Sequence, residues 1–137
     1  MKTEDKELLL KDLCARLPYG VKYTCIDIKN VWRLKSIFTR SDNSIFCDGC
    51  NALELCKPYL FPLSSMTEEQ KKFFDDKNIE CDGWEIVSKE GSHYQSCYTD
   101  IEEWLEVIDW LNKNHFDYRN LINKNLAIDC TNLEIYK

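Results

Sequence analysis

Residues 99–113, "TDIEEWLEVIDWLNK", carry the strongest local signal in the sequence. Thr99 and Glu102 have the spacing of a capping box, which predicts a helix that begins at residue 100. Apolar residues then recur at helical intervals as one stripe: Ile101, Trp104, Leu105, Ile108 and Leu111, with Val107 and Trp110 at its flanks. We therefore expect helix 100–113 to bury Trp104 against a sheet.

The opposite face of this predicted helix is acidic. Glu102, Glu106 and Asp109 follow one another at i, i+4 and i+7, and Glu103 lies beside them. Like charges at this spacing weaken an isolated helix slightly, and a basic partner would relieve that repulsion. The alternative is a solvated face near a helix N-terminus, where the helix dipole favours acidic residues anyway. Both interpretations stay open at the level of the sequence.

The N-terminal half of the chain predicts a helix followed by strands. Leucine residues at helical spacing indicate a helix over residues 4–16, which Pro18 and Gly20 then end. Three segments read as strands of an antiparallel meander: 21–28, 31–40 and 45–47. We predict an α+β fold in one domain over residues 1–137. In this fold, a three- or four-stranded antiparallel sheet packs against an N-terminal helix and a C-terminal amphipathic helix.

A proline-containing segment joins these strands to the second half of the chain. Residues 51–66, which include "KPYLFPLSSM" (57–66), are too apolar for a free loop, while Pro58 and Pro62 prevent a long helix. We expect a packed connector that crosses the core in extended form. Thr67 and Gln70 form a second capping box, which predicts that a helix over residues 68–76 follows.

Composition restricts the classes of function. The chain has 137 residues, a net charge of −6 and no run of 18 apolar residues, and its N-terminus lacks the pattern of a signal peptide, so we expect a cytoplasmic protein without a membrane span. The net charge is +2 over residues 1–66 and −8 over residues 67–137. Because an acidic surface repels phosphate backbones, direct nucleic-acid binding is disfavoured and a partner protein with a basic surface is favoured.

The eight cysteines offer one candidate metal motif. Cys47 and Cys50 have the C-x-x-C spacing of half a zinc site, and Gly49 permits the tight turn between them. The remaining ligands would have to come from residues at no diagnostic spacing: Cys56, Cys81, Cys97, His93 and His115. In a reducing compartment the default interpretation is free or buried thiols. We therefore predict no cofactor and no catalytic residue, and zinc at Cys47 and Cys50 remains the alternative.

Three segments together resemble a known group of proteins: "KELLLKDLCARLPYGVK" (6–22), "KPYLFPLSSMTEEQ" (57–70) and "DWLNKNHFDYRNLINKNLAID" (109–129). They are similar to small uncharacterised proteins that phages, prophages and mobile elements of gut bacteria encode. The resemblance carries no assigned activity, and it implies a bacterial host cell as the setting. The cysteine-rich segment 46–56 is not part of that group's pattern.

These observations lead to two hypotheses about function. The first is a non-enzymatic phage or mobile-element accessory protein that binds a host or phage protein through Glu102, Glu103, Glu106 and Asp109. An inhibitor of a host defence nuclease, comparable to an anti-CRISPR protein, would fit both the acidic charge and the resemblance. The alternative is a small zinc-binding regulatory module that uses Cys47 and Cys50.

Overall fold

The computed structural model describes residues 1–26, 30–50, 52–83, 85–89 and 101–136. Within these residues the α-helices are α1 (Thr3–Arg16), α2 (Glu68–Lys71) and α3 (Ile101–Lys113). The strands are β1 (Lys22–Cys25), β2 (Trp32–Arg33), β3 (Ile37–Thr39), β4 (Ile45–Cys47), β5 (Cys56–Pro62), β6 (Ile79–Cys81), β7 (Ile86–Ser88), β8 (Phe116–Asp117) and β9 (Ile128–Asp129). None of the helices in the described part of the chain is long and apolar enough to span a bilayer.

β5 is the central strand of the main sheet. β1 pairs antiparallel with the first half of β5, where Cys25 lies opposite Cys56, and β2 pairs antiparallel with β1. β8 and β9 pair parallel with the second half of β5, through Phe61 and Tyr59 respectively. The predicted α+β class is confirmed, and the sheet is only partly antiparallel because both C-terminal strands run parallel to β5.

The proline-containing segment is therefore more than a connector. Cys56, Pro58 and Leu60 of β5 are buried at alternate positions, as expected of a strand that contributes one face to the core. Pro58, which has no backbone N–H to donate to a neighbouring strand, lies opposite Tyr23 of β1. The predicted helix that follows is shorter than expected, since α2 passes into a 3-10 turn over Lys72–Phe74.

The predicted caps and helix ends agree with the structure. Thr67 Oγ1 accepts from the backbone N–H of Gln70 at 3.1 Å, and Gln70 Oε1 accepts from the N–H of Thr67 at 2.9 Å, which confirms this capping box. After α1, the chain forms a 3-10 turn over Leu17–Tyr19 and reverses at Gly20, whose φ of 68° is left-handed. The capping box predicted at Thr99 lies outside the described residues.

Two apolar clusters form the core. The first lies between α1 and strands β1 and β5. The largest fully buried side chains that these three elements contribute are those of Leu9, Leu13, Tyr23 and Leu60. The second lies under α3, where Val107 and Leu111 pack with residues from other elements: Leu63, Met66, Phe74, Ile79 and Phe116. Trp110 stacks on Phe73 with 4.4 Å between the ring centroids.

The predicted buried stripe of α3 is correct for Trp104, Ile108 and Leu111, which pack in the second cluster, and wrong for Ile101 and Leu105. Ile101 is 72% exposed and Leu105 is 56% exposed, whereas Val107 and Leu111 are fully buried and Trp104 is half-buried. The helix is rotated so that its Val107 and Trp110 side faces the aromatic rings of the second cluster. Periodicity alone did not distinguish the two orientations because both flanks of the helix are apolar.

Candidate functional site

The four predicted acidic residues of α3 divide into two pairs. Glu103 Oε1 accepts from the backbone N–H of Asn78 at 2.6 Å, and Glu106 Oε1 lies 3.3 Å from Nζ of Lys77. These contacts fix α3 to the residues that precede β6. Burial acts to lower the pKa of Lys77, but hydrogen bonds to Asp76 and Glu106 outweigh it and raise this pKa, so the ammonium stays charged.

The other pair is exposed beside unexpected apolar neighbours. Glu102 and Asp109 are exposed, and so are Ile101 and Leu105 on the same side of the helix. We call the surface formed by Ile101, Glu102, Leu105, Glu106 and Asp109 the outer face of α3. It combines two aliphatic side chains with three carboxylates, and the sequence predicted only the carboxylates.

A second candidate site lies at the edge of the first apolar cluster. Cys25 and Cys50 form a disulfide with 5.9 Å between their Cα atoms, and Cys47 and Cys56 are joined by a side-chain hydrogen bond. All four side chains are at most 5% exposed. We call Cys25, Cys47, Cys50 and Cys56 the thiol cluster. The sequence predicted only Cys47 and Cys50 as a pair, and it gave free thiols as the default.

The turn between Cys47 and Cys50 is held tightly in place. Tyr23 Oη accepts from the backbone N–H of Gly49 at 2.6 Å. A Cβ atom at Gly49 would lie 2.7 Å from both Tyr23 Oη and Trp32 Cδ2, so only glycine fits without rearrangement. Burial raises the pKa of Tyr23 far above its ordinary value, so its hydroxyl stays protonated.

Hydrogen bonding makes the two free thiols of the cluster unequal. The hydrogen bond with Cys56 lowers the pKa of Cys47, and the same hydrogen bond raises the pKa of Cys56. Cys47 therefore loses its proton first. With the Cys25–Cys50 disulfide closed, the described residues contain no group of three or more His, Cys, Asp or Glu side chains placed to hold a metal ion.

The other ligand candidates from the sequence do not join the thiol cluster. Cys81 is half-buried in β6 beside the second apolar cluster. His115 follows α3 and stacks on Tyr136, with 3.7 Å between the ring centroids. His93 and Cys97 lie outside the described residues.

A buried group of charged side chains links α1 to the C-terminal part of the chain. Arg16 is fully buried, and its Nε donates to Asp12 Oδ2 at 2.8 Å while its Nη2 donates to the carbonyl oxygen of Phe116 at 2.6 Å. Arg119 Nε lies 3.4 Å from Asp12 Oδ1, an ion pair whose geometry is too poor for a hydrogen bond. Burial raises the pKa of Asp12, and Arg16 opposes that rise.

His115 borders a groove with a volume of about 520 Å³. Its Nδ1 atom is buried and has no hydrogen-bond partner among the described residues. Burial, followed by the charges of Arg16 and Lys22, lowers the pKa of His115 from 6.5 to about 4. The imidazole is therefore neutral at pH 7.

This pKa predicts a pH-dependent stability. Between pH 6.5 and about 4 the unfolded chain protonates His115 while the folded chain does not, so the free energy of unfolding falls as the pH falls through this window. We expect a loss of about 2–3 kcal/mol, reduced from the full shift because solvent reaches part of the ring.

The matched variant is His115→Asn, because asparagine tolerates the left-handed φ of 64° at this position. Urea unfolding of both proteins at pH 7, 5.5 and 4.5 gives the difference in stability. His93 is present in both proteins, so the difference isolates His115. An equal loss of stability in the two proteins as the pH falls would contradict the assignment.

Comparison of the chain with protein-family models gave no match, and searches of curated proteins and of solved structures gave no significant match. The fold and its surfaces therefore carry the functional argument by themselves. The resemblance to proteins of phages and mobile elements stays a prediction.

Sequence reasoning missed Cys25 as a member of the thiol cluster and gave Cys56 only as one of several possible ligands. Cys25 lies on the inward face of β1, and Cys56 begins β5, so both point to the same core. The usable signal was the alternation of residues 21–28, which already placed Cys25 on the face shared with Val21 and Tyr23.

Proposed function

We propose that this protein acts by binding another protein through the outer face of α3, without catalysing a reaction. The observation that carries the proposal is the exposure of Ile101 and Leu105, at 72% and 56%, next to carboxylates on one helical surface. Protein interfaces commonly place a few apolar anchors inside a charged rim, and these anchors supply most of the binding energy.

The charge of the surface indicates the class of partner. Glu102 and Asp109 are exposed on the outer face, and residues 67–137 have a net charge of −8. A basic protein surface complements this charge and would be attracted at long range, whereas nucleic acid would be repelled. A host protein that itself binds nucleic acid, such as a defence nuclease, presents such a basic surface. The sequence resemblance to phage-encoded proteins supports the same class of partner.

The stability of α3 supports its use as a binding surface. Glu103 and Glu106 attach the helix to Asn78 and Lys77, while Val107 and Leu111 anchor its inner side. A rigid helix loses little conformational freedom when it binds, so more of the contact energy appears as affinity.

The test compares partner recovery by matched variants. The double variant Ile101→Ser with Leu105→Ser removes both apolar anchors, and we expect it to reduce affinity for the recovered protein by at least about tenfold. Its control is Ile26→Ser with Val31→Ser, which removes two aliphatic side chains of similar exposure, 51% and 49%, from another surface. Mass spectrometry of the captured proteins and titration with the purified partner give the readouts.

A second pair of variants tests how the charge of the outer face contributes to binding. Asp109→Lys should weaken binding and reduce its dependence on salt, whereas Glu80→Lys makes the same change of charge at an exposed position on β6. Equal recovery of one dominant partner by wild type, outer-face variants and controls would show that this surface is not the binding site. Recovery of no protein above background would remove the proposal altogether.

A further inference from the structure

The four cysteines of the thiol cluster are linked in pairs, by side chains in two cases and by backbone pairing in the other two. Cys25 is bonded to Cys50, and Cys50 forms an isolated β-bridge with Cys47. Cys47 is hydrogen-bonded to Cys56, and Cys56 lies opposite Cys25 in the β1–β5 pair. In addition, Sγ of Cys50 and Sγ of Cys56 lie 3.4 and 3.5 Å from the same carbonyl oxygen, that of Ala52. Four sulfurs from three separate segments therefore meet in one place.

We propose that Cys25, Cys47, Cys50 and Cys56 form a redox-controlled zinc site, which binds one Zn²⁺ ion when the Cys25–Cys50 disulfide is reduced and excludes it when the disulfide is closed. The inference is independent of the outer face of α3. It differs from a C-x-x-C half-site because strands β1 and β5 supply the second pair of ligands.

The geometry of the cluster suits this ion. Structural zinc sites are tetrahedral with four thiolates at about 2.3 Å, which places neighbouring sulfurs about 3.8 Å apart. The four cysteines are each at most 5% exposed, so a bound ion would be shielded from water and from exchange with other ligands. The 5.9 Å between the Cα atoms of Cys25 and Cys50 shows that these two backbones already approach closely.

The surroundings of the turn also suit a site that gains negative charge. Trp32 packs against Gly49, and its Nε1–H is buried without a hydrogen-bond partner among the described residues. A buried donor without an acceptor is costly, and a thiolate sulfur nearby would satisfy it. The Tyr23 hydroxyl holds the turn in position in the disulfide-bonded form.

The chemical steps balance with a dithiol as the reductant. The dithiol transfers two electrons and two protons, so that the Cys25–Cys50 bond breaks, two protein thiols form and the reductant closes to its own disulfide. Zn²⁺ then displaces the remaining thiol protons of the four cysteines to solvent. In the reverse direction a disulfide such as oxidised glutathione takes two electrons from Cys25 and Cys50 and is reduced to two thiols, while Cys25 and Cys50 form their disulfide. Zn²⁺ is released, and Cys47 and Cys56 take up protons from solvent.

The first experiment titrates the whole chain with metal in both redox states. Protein reduced with dithiothreitol, then freed of it under nitrogen, receives Zn²⁺ or the spectroscopic probe Co²⁺. We expect one equivalent of metal per reduced chain and the intense absorption of a tetrahedral cobalt–thiolate site. Protein oxidised with oxidised glutathione should bind less than a tenth as much, and oxidation of the zinc-loaded protein should release one Zn²⁺ for every two thiols lost.

The second experiment identifies the ligands without any substitution that could prevent folding. Iodoacetamide labelling of reduced protein, read by mass spectrometry, should show that Zn²⁺ protects Cys25, Cys47, Cys50 and Cys56. Cys14, which is exposed, should react equally with and without the ion. In variants, Cys56→Ser should lower zinc affinity by at least about 100-fold, the upper end of the cost of losing an outer-shell partner. Cys130→Ser, a buried cysteine outside the cluster, should leave it unchanged.

Three outcomes would overturn the proposal. They are the absence of stoichiometric zinc in the reduced chain, protection of cysteines other than these four, and equal zinc binding by the oxidised and reduced forms. The last outcome would mean that metal binding does not compete with the disulfide.

Discussion

Replacement of Asp12 by alanine is expected to lower the free energy of unfolding by about 3–5 kcal/mol. Asp12 and Arg16 are both fully buried, and the 2.8 Å hydrogen bond from Arg16 Nε joins their charges. Without the carboxylate, the partners of the buried guanidinium among the described residues would be the Phe116 carbonyl oxygen and the ring of Tyr118. A buried charge without a counterion is among the most destabilising changes a fold can undergo.

The measurement is urea unfolding followed by tryptophan fluorescence, with Asp109→Ala as the control. Asp109 is exposed on a helix, so its substitution should change stability by no more than about 0.5 kcal/mol. If Asp12→Ala does not fold, the double variant Asp12→Leu with Arg16→Met tests the same idea, because an apolar pair of similar volume should restore folding. Similar unfolding midpoints for Asp12→Ala and the control would refute the role given to this pair.

The second large effect is expected for Phe116→Ala, which should destabilise the protein by about 3–5 kcal/mol. Phe116 is 1% exposed, and its ring lies 5.7 Å from that of Trp110 and 6.2 Å from that of Phe61. It therefore joins α3 to β5 through β8. Alanine would leave a cavity at this junction and keep the backbone carbonyl that accepts from Arg16.

The control for this variant is Phe38→Ala on β3. Phe38 is 45% exposed and also contacts one aromatic ring, that of Phe46 at 5.2 Å. Its removal should cost less than about 1.5 kcal/mol, since little cavity forms at a surface site. Chemical denaturation of both variants measures the difference between their free energies of unfolding, provided that these free energies depend on denaturant concentration with the same slope. A loss at Phe116 no greater than at Phe38 would show that α3 and β5 are coupled elsewhere.

Local features of the fold could be predicted from the sequence because they depend on neighbouring residues. The Thr67–Gln70 capping box and the end of α1 at Gly20 follow from side chains within a few positions of each other. The hairpin between β3 and β4, in which Phe38 lies opposite Phe46, follows from alternation and a short turn.

Long-range features could not be predicted, for a physical reason in each case. The parallel pairing of Phe61 with Phe116 joins residues far apart in sequence, and no local propensity specifies such a partner. The rotation of α3 depends on the aromatic rings of Phe73 and Phe74, which the helix itself does not encode. For the same reason the sequence predicted only Cys47 and Cys50 as a pair within the thiol cluster. On the outer face of α3 it predicted the carboxylates but not the exposed aliphatic residues.

The parallel attachment of β8 and β9 to β5 has a consequence for synthesis on the ribosome. Tyr136 Oη also accepts from the backbone N–H of Lys22 and donates to the carbonyl oxygen of Tyr59. The segment that follows β9 is therefore hydrogen-bonded to both β1 and β5. The second half of the central strand therefore stays unpaired until residues 116–136 have left the exit tunnel. During translation its open edge would be the natural place for a chaperone to bind.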